Sequence, residues 1–408
     1  ARWTVSDSPP RKTNPGADMP PPALELADIF RRHGPAYRQA HDLPWQQQRL
    51  MQCIETCRTP ALGGVVDWCA RCQYTHLQYR SCRNRHCPKC QALARARWLQ
   101  KRRAELLPVS YFHVVFTLPE AIAAIGFFNK KVIYNILFHC AAQTLLEIAA
   151  DPKRQGVELG FFAVLHSWGQ NLHFHPHLHC VVPGGGISRQ TERWVHARPG
   201  FLLPVRVLSA RFRGLFLEAL QQAHRRGQLQ FFGDLANLSD PATFARYLAP
   251  LKKCPWVVYS KAPLGGPQQV LNYLGRYTHR VAISNQRLLA LDNDHVTFQW
   301  KDYRDGQAKT MTVSAEEFIR RFLQHSLPPG FQRIRYFGFL ANCHRASRLQ
   351  LCRRLLSTPA TELLPHPGDY RDYYFQLTGR NLRLCPRCGG VLFRLPLPAW
   401  QPEVVDTS

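Results

Sequence analysis

The stretch NLHFHPHLHC, residues 171–180, sets His173, His175, His177 and His179 at every second position. Side chains two apart on a strand point to one face, so an extended backbone here turns neighbouring imidazoles toward a single ion. Pro176 suits a strand's first positions better than its middle. The run HLHCVV, residues 177–182, is therefore predicted as a strand, closed by Pro183 and the glycines 184–186. Working outward, YFHVVFTL (111–118), FFAVLHSW (161–168) and WVVYS (256–260) are β-branched and aromatic and read as further strands. Pro119 opens a helical region to about Ala150, residues 209–227 read as a helix, and residues 267 to about 280 as another. Strands so few and so varied exclude a doubly wound sheet and predict an α+β class.

Beyond this centre, residues 1–22 are rich in proline and polar residues and are expected to be a disordered tail. A helical pattern from Leu24 to Met51 leads into a cysteine-dense block, and QALARARWLQKRRAELL (91–107) reads as an exposed basic helix. After residue 285 come three short strands with turns at Asn293-Asp294 and Asp305-Gly306, then a helix announced by Ser314 and Glu317. Residues 355–382 look loop-rich.

Lys and Arg number 53 against 27 Asp and Glu, a formal charge of +26 that points to a polyanionic partner, nucleic acid above all. A basic membrane-surface protein would share the charge, but no amphipathic basic helix or long apolar span accompanies it. The most apolar helical stretch, residues 132–150, carries Asn135, His139, Gln143 and Glu147 and reads as a core helix. With no secretory signal read at the start and no disulfide-framework pattern, the cysteines are expected to be reduced, in the cytoplasm.

Six of the fourteen cysteines form three Cys-x-x-Cys pairs. Cys69-x-x-Cys72 and Cys87-x-x-Cys90 stand fourteen residues apart, a spacing that predicts one four-cysteine structural zinc site. Cys57, Cys82 and His86 are candidates for a second zinc site, buried thiols being the alternative. Cys385-x-x-Cys388 looks like half of another, with Cys343, His344 or Cys352 as possible partners. Arg83, Arg85 and Lys89, within a longer basic run, are expected to contact phosphates.

In VLNYLGRYTHR (270–280), Tyr273 and Tyr277 lie one helical turn apart and can face the same place. Val270, Tyr273, Leu274 and Tyr277 also make an ordinary apolar stripe. The two readings part only when the histidine strand, the charge and the cysteine pairs are weighed together.

Three motifs in series, SCRNRHCPKCQ, HPHLHC with VVPGGGIS, and YLGRYTHRVAISN, resemble the rolling-circle transposases of insertion sequences. The likeness is to the ninety-one group that includes ISCR elements, within the HUH endonuclease superfamily and its two-tyrosine branch, and it spans roughly residues 25–345. The resemblance implies an HUH-type antiparallel sheet with flanking helices, joined to an N-terminal zinc-binding domain. It assigns the metal pair to His177 and His179, and implies Gln170 as third ligand, with His166 the alternative. It also implies magnesium or manganese at that site, zinc at the cysteines, and Tyr273 and Tyr277 as nucleophiles, with Arg276 and Arg280 beside the DNA.

The organisation expected is a zinc-binding and basic helical DNA-binding domain over 23–107, a nuclease domain over 108–285, a β-meander and helix extension over 286–345, and a C-terminal region with a possible zinc site over 346–408. The implied substrates are single-stranded DNA and hairpin-bearing element ends in a bacterial nucleoid, cut and rejoined through 5′-phosphotyrosine. Strand separation falls to host replication or helicase functions or to DNA supercoiling, since no G-x-x-x-x-G-K-[ST] is present. A non-catalytic zinc-dependent DNA-binding regulator, or an HUH replication initiator or relaxase, is the competing reading.

Overall fold

A computed structural model describes residues 24–264, 269–270, 275, 280–302, 305–359 and 368–399. The tail over 1–22, and Tyr273, Arg276 and Tyr277, lie outside the described residues. The centre is a five-stranded sheet in the spatial order Ile334–Gly338, Gly160–Trp168, Phe174–Pro183, Tyr111–Thr117, Val258–Leu264, every neighbouring pair antiparallel. The histidine strand begins at Phe174, three residues earlier than predicted. Pro176 is accommodated because its missing N–H is no loss there, while its carbonyl accepts from the Leu118 amide at 3.3 Å.

Alternation divides the two faces of this sheet. Phe112, Val114, Phe116, Phe161, Ala163, Leu165, Leu178, Cys180 and Val182 point into the main core, against the helices Lys130–Ala150 and Val205–Arg225. Tyr111, Phe162, Val164 and Val181 point the other way, where Trp98 and Leu99 of the helix Gln91–Arg103 and Leu349 of the helix Arg345–Leu355 cover them. The helix Lys130–Ala150 is long and apolar enough to cross a membrane. Its buried residues face the core, with Asn135, His139 and Glu147 exposed along the opposite edge. The predicted continuous helix after Pro119 is two helices, Glu120–Phe128 and Lys130–Ala150, broken at Asn129, whose side chain instead donates to the carbonyls of Ile125 and Gln230.

Outside the centre, the described residues form three smaller sheets. The expected meander, Leu288–Asp292, His295–Lys301 and Ala308–Ser314, forms with Asn293 and Asp294 both at positive φ, as its tight turn requires. Ser314 caps the following helix by accepting from the Glu317 amide at 3.2 Å. This unit shares a core with the N-terminal helices Leu26–Ala40 and Trp45–Thr56, where Phe30 meets Phe322 edge-on at 5.5 Å. Those helices therefore pack on the extension as well as leading into the cysteine block. Within the loop-rich stretch a helix forms over Tyr370–Thr378, capped by Asp369. The last described strand, Leu392–Leu397, pairs with Gly64–Cys69, and Thr75–Tyr79 completes that sheet.

Candidate functional site

His113, His166, His177 and His179 all fall on the sheet face opposite the main core. The register explains how they meet. His166 is directly across from His177, and Val164 across from His179, so His166 and His179 are diagonal neighbours on adjacent strands. One ring nitrogen from each of His166, His177 and His179 lies within 4.8 Å of the others. His177 Nδ1–H donates to the His175 carbonyl at 2.7 Å, which fixes the tautomer and turns the Nε2 lone pair inward, 3.1 Å from His179 Nε2. Metal–nitrogen bonds of about 2.0–2.1 Å opening at 90–109° put two nitrogens about 2.8–3.4 Å apart. The pair fits one divalent ion.

Burial pushes the His177 imidazole down to about 4 and the His179 imidazole well below its ordinary value, so both are neutral and able to ligate at neutral pH. The nearby positive charge of Arg280 acts in the same direction on both. His113, which sequence reasoning passed over, sits 2.8 Å from His179 Nδ1 through its Nε2. A lone histidine inside the apolar strand YFHVVFTL was the available signal.

Gln170 lies in the turn after the strand Gly160–Trp168, where its carbonyl accepts from Arg287. The third imidazole that meets the pair is His166. His173 and His175 are exposed, outside the cluster. Of the tyrosine stretch, the described residues Val270 and Gly275 pack on the histidine-bearing side. Val270 is buried with Phe162 and Val164, and Gly275 lies against Leu99.

The cysteines group differently from the spacing-based expectation. Cys57, Cys82, Cys87 and Cys90 form one quartet, and Cys69 and Cys72 join Cys385 and Cys388 in another. The pair Cys69-x-x-Cys72 belongs to the strand pairing of the small sheet, whereas Cys87-x-x-Cys90 follows a turn that folds back under Cys57 at the end of the second helix. In the first quartet Cys57–Cys90, Cys82–Cys90 and Cys57–Cys87 have Sγ separations of 3.5–3.6 Å, and all four sulfurs lie within 4.8 Å of one another. Disulfides require about 2.05 Å, while zinc–sulfur bonds of about 2.3 Å in a tetrahedron place sulfurs about 3.8 Å apart, so the quartet fits zinc. Hydrogen bonds within the quartet push the Cys57 and Cys90 thiols down and the Cys82 and Cys87 thiols up. His86 is not in this quartet. It is buried beside Arg85 and Arg333, and burial holds it neutral.

Among the residues expected on phosphates, Arg83 is exposed. Arg85 instead donates to the carbonyls of Phe331 at 2.6 Å and Pro328 at 3.2 Å, and Lys89 pairs with Glu25 at 2.5 Å. Both tie the cysteine block to neighbouring elements because their side chains point inward from a turn. Arg95, Lys101 and Arg103 on the basic helix are exposed, and that helix covers the histidine-bearing side of the sheet.

Residues 160–348 match the sequence family described as "Putative transposase", and residues 29–118 the family described as "Transposase zinc-binding domain". The chain is 60% identical over 368 residues to "Putative transposase y4qJ" of Sinorhizobium fredii, covering 89% of this chain and 92% of that protein. It is 30% identical over 289 residues to the transposase for insertion sequence element IS801 of Pseudomonas savastanoi pv. phaseolicola, covering 70% of this chain and 68% of that one. No solved structure matches it. Both spans carry the sites just described, the histidine cluster in one and the first cysteine quartet in the other, and the chain belongs to the insertion-sequence transposases of the IS91 and IS801 type.

Proposed function

We propose that the chain nicks and rejoins single-stranded DNA at the ends of its element by HUH-type chemistry, with Tyr273 and Tyr277 as nucleophiles. The observation that carries this reading is the convergence of His166, His177 and His179 on one face of an antiparallel sheet. Val270 and Gly275, on either side of Tyr273, pack on that same side and support it. We assign His166 rather than Gln170 as third ligand, since its ring nitrogen meets the other two. Three nitrogen donors suit manganese better than magnesium.

When bound, a divalent cation at these histidines supplies Lewis-acid polarisation of the scissile phosphodiester. His177 and His179 stay neutral at working pH and keep their lone pairs for ligation. A tyrosine phenol, ordinarily near pKa 10, loses its proton and its oxygen attacks phosphorus. The P–O3′ bond breaks, and the leaving oxygen takes a proton to give a free 3′-hydroxyl and a 5′-phosphotyrosine. Attack by a 3′-hydroxyl on that ester reverses the step without ATP, and a second tyrosine lets one end be held while another is cut. Arg276 and Arg280 offset the charge that grows on the phosphate. The zinc-binding region and the exposed basic helix position hairpin-bearing ends through phosphate contacts.

The test is a denaturing-gel assay with 5′- and 3′-labelled single-stranded end DNA and manganese. Wild type gives a covalent protein adduct on the 5′ end of the 3′ fragment. Tyr273→Phe/Tyr277→Phe gives none. End-specific binding by wild type with no adduct in any arm would instead favour a non-catalytic zinc-dependent regulator.

A further inference from the structure

The second cysteine quartet joins parts of the chain that nothing local connects. Cys69 Sγ lies 3.5 Å from Cys388 Sγ, and Cys72 Sγ 3.5 Å from Cys385 Sγ, although the partners are more than 300 residues apart. Cys385 and Cys388 fall outside both family spans, 29–118 and 160–348. The partners weighed from sequence are elsewhere: Cys343 is exposed with its sulfur against His344, and Cys352 is buried beneath the sheet's other face.

The two Cys-x-x-Cys turns are built alike. The Gln73 amide donates to the Cys69 carbonyl at 2.9 Å, and the Cys69 amide to the Tyr74 carbonyl at 2.9 Å. In the other turn the Gly389 amide donates to Cys385 at 2.9 Å, and the Cys385 amide to Gly390 at 2.7 Å. The fifth residue of each turn has positive φ, Gln73 at 59° and Gly389 at 72°. From each turn the chain runs on into a strand, Thr75–Tyr79 or Leu392–Leu397, and these two strands flank Gly64–Cys69 on its opposite edges. Two matched turns presenting four thiols to one point make the geometry of a zinc ribbon.

Among the described residues, little buried apolar surface holds this sheet together. Leu77, Phe393 and Leu395 are exposed, and a sheet of three short strands with so little buried apolar surface is not stable alone. Local support comes from Arg394, which grips the buried carboxylate of Asp67 through two hydrogen bonds of 2.6 and 2.7 Å.

We infer that Cys69, Cys72, Cys385 and Cys388 hold a second structural zinc ion, which builds the C-terminal segment into the N-terminal zinc-binding domain. Binding displaces the thiol protons and forms four zinc–sulfur bonds, with no change of oxidation state. The site does not depend on the tyrosine chemistry, so its test uses no DNA cleavage.

Full-length protein is analysed for zinc by mass spectrometry beside Cys385→Ser/Cys388→Ser, and both are alkylated under native conditions with peptide-level readout. Wild type is expected to carry one more zinc per chain than the variant. In wild type, Cys69, Cys72, Cys385 and Cys388 resist alkylation and become reactive together on chelation, while exposed Cys343 reacts throughout. In the variant, Cys69 and Cys72 become reactive while Cys57, Cys82, Cys87 and Cys90 stay protected, which separates loss of this site from global unfolding. Equal zinc in the two proteins, native labelling of Cys385 and Cys388 as fast as Cys343, or a disulfide within the quartet would overturn the inference.

Discussion

His113 and His179 stack with their rings 11° from parallel, and Nε2 of the first lies 2.8 Å from Nδ1 of the second. They are diagonal neighbours on adjacent strands, both buried, and His179 turns its other nitrogen toward His177. A His179 that ligates through Nε2 carries its proton on Nδ1 and donates it to His113. His113 would then act as the acceptor that holds His179 in that tautomer.

His113→Phe keeps the stack but removes the acceptor. It is expected to raise the manganese concentration that gives half-maximal cleavage by about 10–100-fold. His113→Gln, which keeps an acceptor, is expected to recover part of that loss. A manganese titration of cleavage separates this from a change in the rate at saturating metal, and an unchanged half-point in His113→Phe would remove His113 from the site.

The choice between His166 and Gln170 is open to direct measurement. In the non-cleaving Tyr273→Phe/Tyr277→Phe background, His166→Ala is expected to weaken manganese binding by at least about tenfold in calorimetry, and Gln170→Ala to leave it nearly unchanged. The reverse ranking would restore Gln170 as ligand.

Asp67→Asn retains the shape of the carboxylate but leaves the Arg394 guanidinium facing a neutral amide. Asp67 is 3% exposed, so the loss is expected near the lower end of the range for broken buried pairs, about 3 kcal/mol. Hydrogen exchange should show it as faster opening confined to Gly64–Cys69 and Leu392–Leu397. Exchange unchanged in those strands would mean the pair contributes little.

His325 is buried, donates through Nε2 to the Leu172 carbonyl at 3.0 Å, and is pushed by burial down to about 3. Its folded value lies below its unfolded value of about 6.5, so the unfolded chain binds the extra proton between the two. Its stabilising effect is complete above pH 6.5 and falls by about 1.4 kcal/mol per unit as pH drops toward 3. The melting-temperature deficit of His325→Gln against wild type should therefore shrink between pH 7.5 and 5. A constant deficit would contradict the assigned protonation.

What could be read beforehand follows what is local. The alternation in HLHCVV, the β-branched runs and the Asn293-Asp294 turn depend on near neighbours, and each forms the element expected, save that WVVYS enters its strand only at Val258. The identity of the partner that meets His177 depended on cross-strand register, which places His166 directly opposite and cannot be seen from spacing along one strand. The cysteines group differently from the spacing-based expectation for the same reason: one Cys-x-x-Cys turn looks like another, and the fourteen-residue interval pointed to Cys87 and Cys90 where Cys385 and Cys388, in the turn before Leu392–Leu397, lie beside Cys69 and Cys72. Arg85 and Lys89 read as phosphate contacts because the sequence does not show the carbonyls and the carboxylate they turn toward.

The pairing of Leu392–Leu397 with Gly64–Cys69 has a consequence for synthesis. Cys69 and Cys388 are 319 residues apart, which at about 5–20 residues per second is roughly 16 to 64 seconds of translation. The central sheet, whose last strand ends at Gly338, can assemble while the edge of the N-terminal sheet still waits for its partner. A chain broken off before residue 392 would keep its histidine cluster yet expose the unpaired edge of Gly64–Cys69, so that edge is closed only once residues 392–397 have been made.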